Sequence, residues 1–366
     1  MTRPPKDNVS DFLSRVAPYI YSDGGRNLNE IARDLELPYS TVQFRMKRLE
    51  KQGIRVAPIV DVERLGLERV RVFFELSNDV KDYSAFFQAL HQAAGLRYYA
   101  RSLISQIFDC EFDVPRWKSG ELSKLLKALE EMKFVQNITL RKLVWKDFLT
   151  MRTEYFDYLS EEWDVDFSKL LGDPSISVPS TAEPAKVDYS DLILIKSIQV
   201  KPFVKLVEMA KQLGASPENA SYHLNKHVLE KKLISSFKLK WAGTKNTWAK
   251  HRLMPLTVVF NKLVDDLTRH SMSVIASVPF TWNHMRAEDG TYIAELLIPI
   301  SHLTETMQYV SNGLRPLHLK PEMLLADSSC LYSYTIPYQL YDIQKGWKFS
   351  AEESLGFLVK MISAHK

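Results

Sequence analysis

Two stretches of this chain carry the same residues at a nearly fixed offset. Glu30, Ala32 and Leu35 recur as Glu208, Ala210 and Leu213, each 178 positions further on. Pro115 in "FDVP" recurs as Pro299 in "LLIP", and Trp163 in "EEWDVDF" as Trp347 in "KGWKFSA", both 184 positions on. The drift requires a few extra residues in the second copy, one of them inside "LNKHVLEKK". A repeat this long describes a fused pair, which folds as the covalent counterpart of a dimer. At 366 residues the chain also exceeds what one hydrophobic core usually organises.

Each copy starts with helices. "NVSDFLSRVAPYI" reads as a first helix that Pro18 ends or kinks. "NLNEIARDLEL" places Ile31, Ala32 and Leu35 at helical spacing, and after a break at "ELPY" comes "STVQFRMKRLEKQGI". This third helix carries Val42, Met46 and Leu49 on one stripe, with Ser40 or Tyr39 in its first turn and Gly53 as its stop. The apolar alternation of "IRVAPIVDVERLGL" reads as a strand or small wing. The second copy runs through "DYSDLILIKSIQV", "PFVKLVEMAKQLG" and "SPENASYHLNKHVLEKKLI" to a two-stranded wing, "SSFKLKWAGTKNTWAKH", turning at "GTKN". Helix, helix, turn, basic helix and strand is the order of a winged helix-turn-helix.

Behind each such unit the texture becomes strand, helix, strand, helix, strand, most of a ferredoxin-like α+β unit. In the first copy these are "ERVRVFFELSND", "DYSAFFQALHQAAG", "SQIFDCEFDVP", "SGELSKLLKALEEM" and "FVQNITLRKLVW". In the second, "MPLTVVFNKLVDDL" restarts the series. "GDPSISVPSTAEPAKVD" breaks all periodicity and reads as a linker. The expected division is a winged helix-turn-helix at 1–66, an α+β domain at 67–170, a linker at 171–187, a second winged helix-turn-helix at 188–252 and a second α+β domain at 253–366.

Charge separates these units. Residues 26–55 carry +3 and residues 196–252 carry +9, within a net +4, so the remainder of the chain stands at −8. Two basic islands in an acidic chain suit a polyanion, whose phosphates they neutralise with release of counterions. The apolar runs "DLILI" and "AELLIPI" fall far short of the ~20 residues of a membrane span, and "MTRPPKDNVS" has no apolar signal core. The expectation is a soluble cytoplasmic, nucleoid-associated protein with no membrane partner. Cys110 and Cys330 stand apart without finger-like spacing and read as packed small groups in a reducing compartment. Neither a metal nor a cofactor is expected.

"NLNEIARDLELPYSTVQFRMKRLEKQGI", the wing "RVAPIVDVERLGLERV" and the βαβ-like unit behind them resemble the leucine-responsive regulator/AsnC family of prokaryotic transcription factors. The resemblance covers residues 9 to about 148 in order, and the second half repeats it more loosely. It implies an α+β fold of two tandem modules, each a winged helix-turn-helix followed by a ferredoxin-like (RAM-like) domain. It also implies a regulator that binds double-stranded DNA. Family members usually carry one such half and dimerise, whereas this chain has two unequal halves; further homodimerisation through the sheets is left open. Neither α+β unit shows a Gly-rich effector loop, and no effector is assigned.

A recognition helix reads base edges in the major groove with side chains that donate and accept. Ser40, Thr41, Gln43 and Phe44 occupy the first turns of the first such helix. There Gln43 suits adenine and Phe44 a thymine methyl, while an aromatic beside Met46 suits the core equally well. Arg45, Lys47 and Arg48 suit phosphates or guanine, or, for the two arginines, pairing with Glu50 and Asp34. In the second helix Asn219, Ser221, Tyr222, His223, Asn225 and Lys226 take the corresponding places, and Ala220 and Leu224 face inward. His223 and His227 have metal-ligand spacing, but with no carboxylate or Cys beside them in sequence they read as one DNA-facing and one packing histidine. Lys238, Lys240, Lys245 and Asn246 in the wing suit phosphates, which give affinity more than specificity.

Two other functions fit parts of the sequence. An architectural protein with little sequence preference needs the same phosphate contacts. Sirohaem-type tetrapyrrole decarboxylases resemble the same regulator family, and "WNHMRAEDGTY" offers His284 as acid and Arg286 as carboxylate clamp. The first half has Arg101 in "YYARSLISQIF" but no matching His, and the chain has no Gly-rich phosphate loop, "GxSxG" or "HExxH". No catalytic residue is assigned.

Overall fold

The computed structural model describes residues 9–25, 27–51, 55–149, 152–157, 162–170, 183–240 and 253–364. Gly53, Lys245, Asn246, the "GTKN" turn and most of the linker lie outside the described residues. The first three helices are α1 (Val9–Asp23), α2 (Leu28–Asp34) and α3 (Tyr39–Lys51). α1 passes through Pro18 instead of ending there. Asn27 caps α2 by accepting from the Glu30 amide at 3.3 Å.

β1 (Arg55–Val60) corrects the expectation of two separate wings. It pairs antiparallel with β8 (Ile234–Lys240) of the second copy, from Arg55 opposite Lys240 to Val60 opposite Ile234. The halves therefore share one two-stranded ribbon, with one strand from each. One apolar cluster holds Val16, Ile20, Ile31, Val42 and Met46 of the first copy together with Leu192, Ile195, Met209, Leu224 and Phe237 of the second. Gly24 sits against Phe237 at a φ of 79°, where an added Cβ would lie 2.9 Å from the ring.

The first α+β unit consists of β2 (Leu67–Leu76), α4 (Tyr83–Ala94), β3 (Leu96–Ser102), β4 (Ile107–Pro115), α5 (Ser119–Glu131) and β5 (Val135–Phe148). β3 went unread in the sequence. Its order is β5-β2-β4-β3. After the short pair β6 (Phe156–Asp157) and β7 (Glu162–Trp163), the second winged helix and its unit follow. That unit has β9 (Leu253–Phe260), β10 (Thr281–Ala287), β11 (Tyr292–Pro299) and β12 (Glu322–Ser333), ordered β12-β9-β11-β10. Both sheets thus place their strands fourth, first, third, second, and the repeated prolines end matching strands, β4 and β11. The sheets join edge to edge, β5 to β10 and β3 to β12, into a closed eight-stranded barrel. Closure pairs the edges of both sheets within the chain, so neither sheet of the barrel offers a free edge to strand addition by a second copy.

Inward-facing residues of the neighbouring strands β2 and β4 form an ion network that β11 joins from across the barrel. Arg71 is fully buried; its guanidinium donates to both oxygens of Asp109, at 2.5 and 2.6 Å, to Glu111 at 3.2 Å, and to Glu295 from β11 of the other half. Lys146 donates to Glu111 at 2.6 Å, and Arg97 meets Asp113 at 2.9 Å. Burial pushes the Glu111 carboxyl up, but Lys146, Arg69 and Arg71 outweigh it and hold the group far below the usual carboxylate range. On the outer face of the first sheet, Val70, Val72 and Phe74 pack with Leu122, Leu125, Cys110 and Cys330.

His91 stacks on Tyr334 at 4.3 Å, and its Nδ1–H donates to the Leu96 carbonyl at 2.8 Å. Burial, aided by Arg97, lowers its pKa from 6.5 to about 4 despite that hydrogen bond. The unfolded chain therefore binds the extra proton first, and stability is lost as pH falls from about 6.5 towards 4. At pH 5 this amounts to about 2 kcal/mol relative to neutrality. Urea unfolding of wild type and His91→Gln at pH 7 and 5 checks it: the variant should lose less on acidification than the wild type, by roughly that amount.

Candidate nucleic-acid interface

α3 begins after Pro38, whose carbonyl accepts from the amides of Thr41 and Val42 at 2.9 and 3.1 Å. Helical spacing then buries Val42, Met46 and Leu49. Ser40, Phe44, Lys47 and Arg48 are exposed, with Thr41 and Gln43 half-buried beside them. Phe44 is 62% exposed and belongs to the outer face, not to the core. Arg45 departs from the expected set, because its guanidinium lies 5.4 Å over the Phe12 ring of α1. It fastens α3 to α1, leaving Lys47 and Arg48 as the outward cations.

In the second copy α6 (Tyr189–Val200) and α7 (Leu206–Leu213) precede α8 (Pro217–Tyr222), which Ser216 caps by accepting from the Asn219 amide at 3.3 Å. α8 continues into a π-helical stretch, His223–Leu229, within which the Glu230 amide donates to the Asn225 carbonyl five residues back. A π turn holds one more residue than an α turn, so this is where the extra residue inside "LNKHVLEKK" is absorbed. Ala220, Leu224 and Val228 are buried, while Asn219, Tyr222, Asn225 and Lys226 are exposed and Ser221 is half-buried. Asn225 donates to Ser221 at 3.3 Å and Lys226 to Glu230 at 2.6 Å, one turn apart along the helix.

Two of the expected contacts, His223 and Lys238, are engaged within the fold. His223 and His227 both turn towards α6, with Nδ1 atoms 3.6 and 3.3 Å from Asp191 Oδ1. Lys238 places its ammonium 4.1 Å over Phe148 and 4.7 Å over Trp282, so it packs on the barrel instead of facing phosphate. Lys240 ends the shared ribbon opposite Arg55. The carboxylates that reach the histidine pair are Asp188 and Asp191, which the fold supplies from the start of α6. Their signal was present in "DYSDLILI" as two Asp three residues apart before an apolar run, which reads first as a helix cap.

His284 and Arg286 lie within β10. His284 is fully buried, with Nδ1 3.3 Å from the Tyr292 hydroxyl, Nε2 3.7 Å from Asp147 and its ring 5.1 Å from Trp145. Arg286 donates to Asp265 at 2.6 Å on the outer face. His284 lines neither the cavity of ≈ 790 Å³ around Leu303, Met307 and Leu319 nor the small one of ≈ 60 Å³ between Lys238 and Trp282. No helix of the described residues is long and apolar enough to cross a membrane.

Residues 19–54, which hold α2 and α3, match the family of winged helix-turn-helix DNA-binding domains. A stretch of 66 residues is 35% identical to an uncharacterized HTH-type transcriptional regulator of Pyrococcus furiosus, covering 18% of this chain and 45% of that protein. The chain thus spans less than half the length of this curated relative. Among solved structures, the siroheme decarboxylase NirDL is similar across 98% of this chain and 99% of its own, with a TM-score of 0.59 at 15% identity. Its co-complex with an iron-uroporphyrin III analogue gives 0.57 at 14%, over 97% and 99%. At such identities the likeness is one of fold. The helix-turn-helix followed by a ferredoxin-like unit stands in the order that the regulator resemblance implies.

Proposed function

We propose that this protein is a DNA-binding transcriptional regulator whose two unequal recognition helices read an asymmetric site on double-stranded DNA. The observation that carries the reading is α3: within the segment matched by the winged helix-turn-helix family, its apolar stripe is buried while Ser40, Phe44, Lys47 and Arg48 stand outward. A helix presented in this way fits the major groove, with the cations towards phosphates and the first-turn groups towards base edges. Asn219, Ser221, Tyr222 and Asn225 form a second face of different chemistry. Nuclease protection over fragmented genomic DNA tests the proposal. Discrete protected sites are expected; continuous coverage would favour an architectural role, and no protection at physiological salt would end the DNA reading.

The fold shared with NirDL keeps a second reading in view, decarboxylation of a tetrapyrrole. His284 and Arg286 do not support it, since one is sealed beneath Tyr292 and Trp145 and the other is paired with Asp265. Titration with an iron porphyrin carrying carboxylate side chains is the check. An unchanged absorption spectrum is expected, and a saturable shift at one equivalent would reopen the enzymatic reading.

A further inference from the structure

We infer that Asp188, Asp191, His223 and His227 form a binding site for a divalent transition-metal ion of the Zn²⁺ class, tying the start of α6 to the second recognition helix. The ligand atoms of the four residues all lie within 4.8 Å of one another. Asp191 Oδ1 is 3.3 Å from His227 Nδ1 and 3.6 Å from His223 Nδ1, and Asp188 Oδ2 is 4.0 Å from His227 Nδ1. Ligands held at about 2.0–2.1 Å around a tetrahedral ion stand about 3.4 Å apart, so a small inward movement closes the shell.

The way each carboxylate is held points the same way. Asp188 Oδ1 accepts from the Asp191 amide at 3.0 Å, and Asp191 Oδ2 accepts from the Asp188 amide at 3.2 Å. This reciprocal cap uses one oxygen of each side chain and aims the other at the imidazoles, the kind of outer hydrogen bonding that orients metal ligands. Asp191 is fully buried, and its Oδ1 and both imidazole Nδ1 atoms are buried without a hydrogen-bond partner. Unsatisfied polar atoms converging on one point are uncommon in a folded chain, and a cation would satisfy all three. The side chains of Asp188, His227 and His223 remain 52, 26 and 21% exposed, which leaves an entry path. Two imidazoles select Zn²⁺, Fe²⁺, Ni²⁺ or Cu²⁺ over Mg²⁺ and Ca²⁺.

The histidines come from the π-helical stretch, and π turns recur at functional sites. An ion here fixes that stretch against α6 while Asn225 and Lys226 remain outside, so occupancy sets the position of the second recognition face. This consequence rests on the DNA-binding reading; the metal site itself does not.

The full chain, stripped with EDTA and dialysed, is titrated with Co²⁺ and then Zn²⁺. One equivalent of Co²⁺ should give visible d–d absorption that stoichiometric Zn²⁺ abolishes and a hundredfold excess of Mg²⁺ leaves intact, and Zn²⁺ should raise the melting temperature. Asp191→Asn retains an oxygen for the Asp188 amide, so folding, checked by circular dichroism, should persist. This variant and His227→Gln should each weaken Zn²⁺ at least tenfold. Absence of the Co²⁺ bands, displacement by Mg²⁺, or wild-type Zn²⁺ affinity in folded Asp191→Asn would overturn the site. DNA affinity of the same preparation should fall at least fivefold on chelation. Stoichiometric Zn²⁺ uptake with unchanged DNA affinity overturns the coupling alone. Uptake by a protein that binds no DNA in either state overturns the functional reading and leaves the metal site standing.

Discussion

Arg71→Leu should destabilise the fold by about 3–5 kcal/mol, the usual range when one partner of a buried ion pair is removed and its counter-charges stay behind. The substitution leaves Asp109, Glu111 and Glu295 facing one another inside the barrel, with Glu295 contributed by the opposite half. The pH dependence gives a second, independent signature. Asp109, which burial already holds above the usual carboxylate range against the pull of Arg71, rises further above its unfolded-state pKa without the guanidinium, so the folded variant takes up a proton first and is stabilised as pH falls. In the wild type Glu111 is instead held low, and its contribution disappears in acid. Urea titrations of both proteins at pH 7 and pH 5 should show the gap between them narrowing on acidification. A gap that is constant with pH would mean that the carboxylates are not held together by Arg71.

Lys47→Ala combined with Arg48→Ala should weaken DNA binding by about tenfold or more at physiological salt and flatten the salt dependence. Two lost phosphate contacts lower the slope of log affinity against log salt by about 1.8. Both side chains are exposed on the helix side opposite Val42, Met46 and Leu49, so folding should be undisturbed. Arg45→Ala makes the contrast. Its guanidinium rests on Phe12, so it should lower the melting temperature while moving the salt slope little. A double variant with wild-type affinity and slope would remove α3 from the interface.

The repeat and its modules were legible because periodicity and spacing survive divergence. Pro115 and Pro299 end matching strands, and Ala32 and Ala210 are both buried in the joint winged-helix core. What crossed between the halves was not legible. Local alternation marks β1 and β8 as strands but cannot show that they pair with each other, nor that two open sheets close on their edges. The short strand β3 escaped because "LRYYARS" follows its helix directly at Gly95, with no intervening turn cluster; Gly95, at a φ of 74°, makes the reversal itself. At the interface, side-chain type was readable and direction was not. Arg45, His223 and Lys238 have the chemistry of DNA contacts, yet Phe12, Asp191 and the Phe148–Trp282 pair claim them, and those partners lie 32 to 90 positions away. The carboxylates beside the two histidines were hidden for the same reason, since α6 reaches the recognition helix only through the fold.

The claim that two unequal helices read one asymmetric site is tested most directly by hydroxyl-radical footprinting at single-nucleotide resolution. The experiment uses one protected genomic fragment, the wild type, the Lys47→Ala/Arg48→Ala variant and an Asn219→Ala/Asn225→Ala variant. Each double variant should lose protection over a different half of the site while retaining the other. Identical loss over both halves, or protection unchanged in either variant, would contradict it.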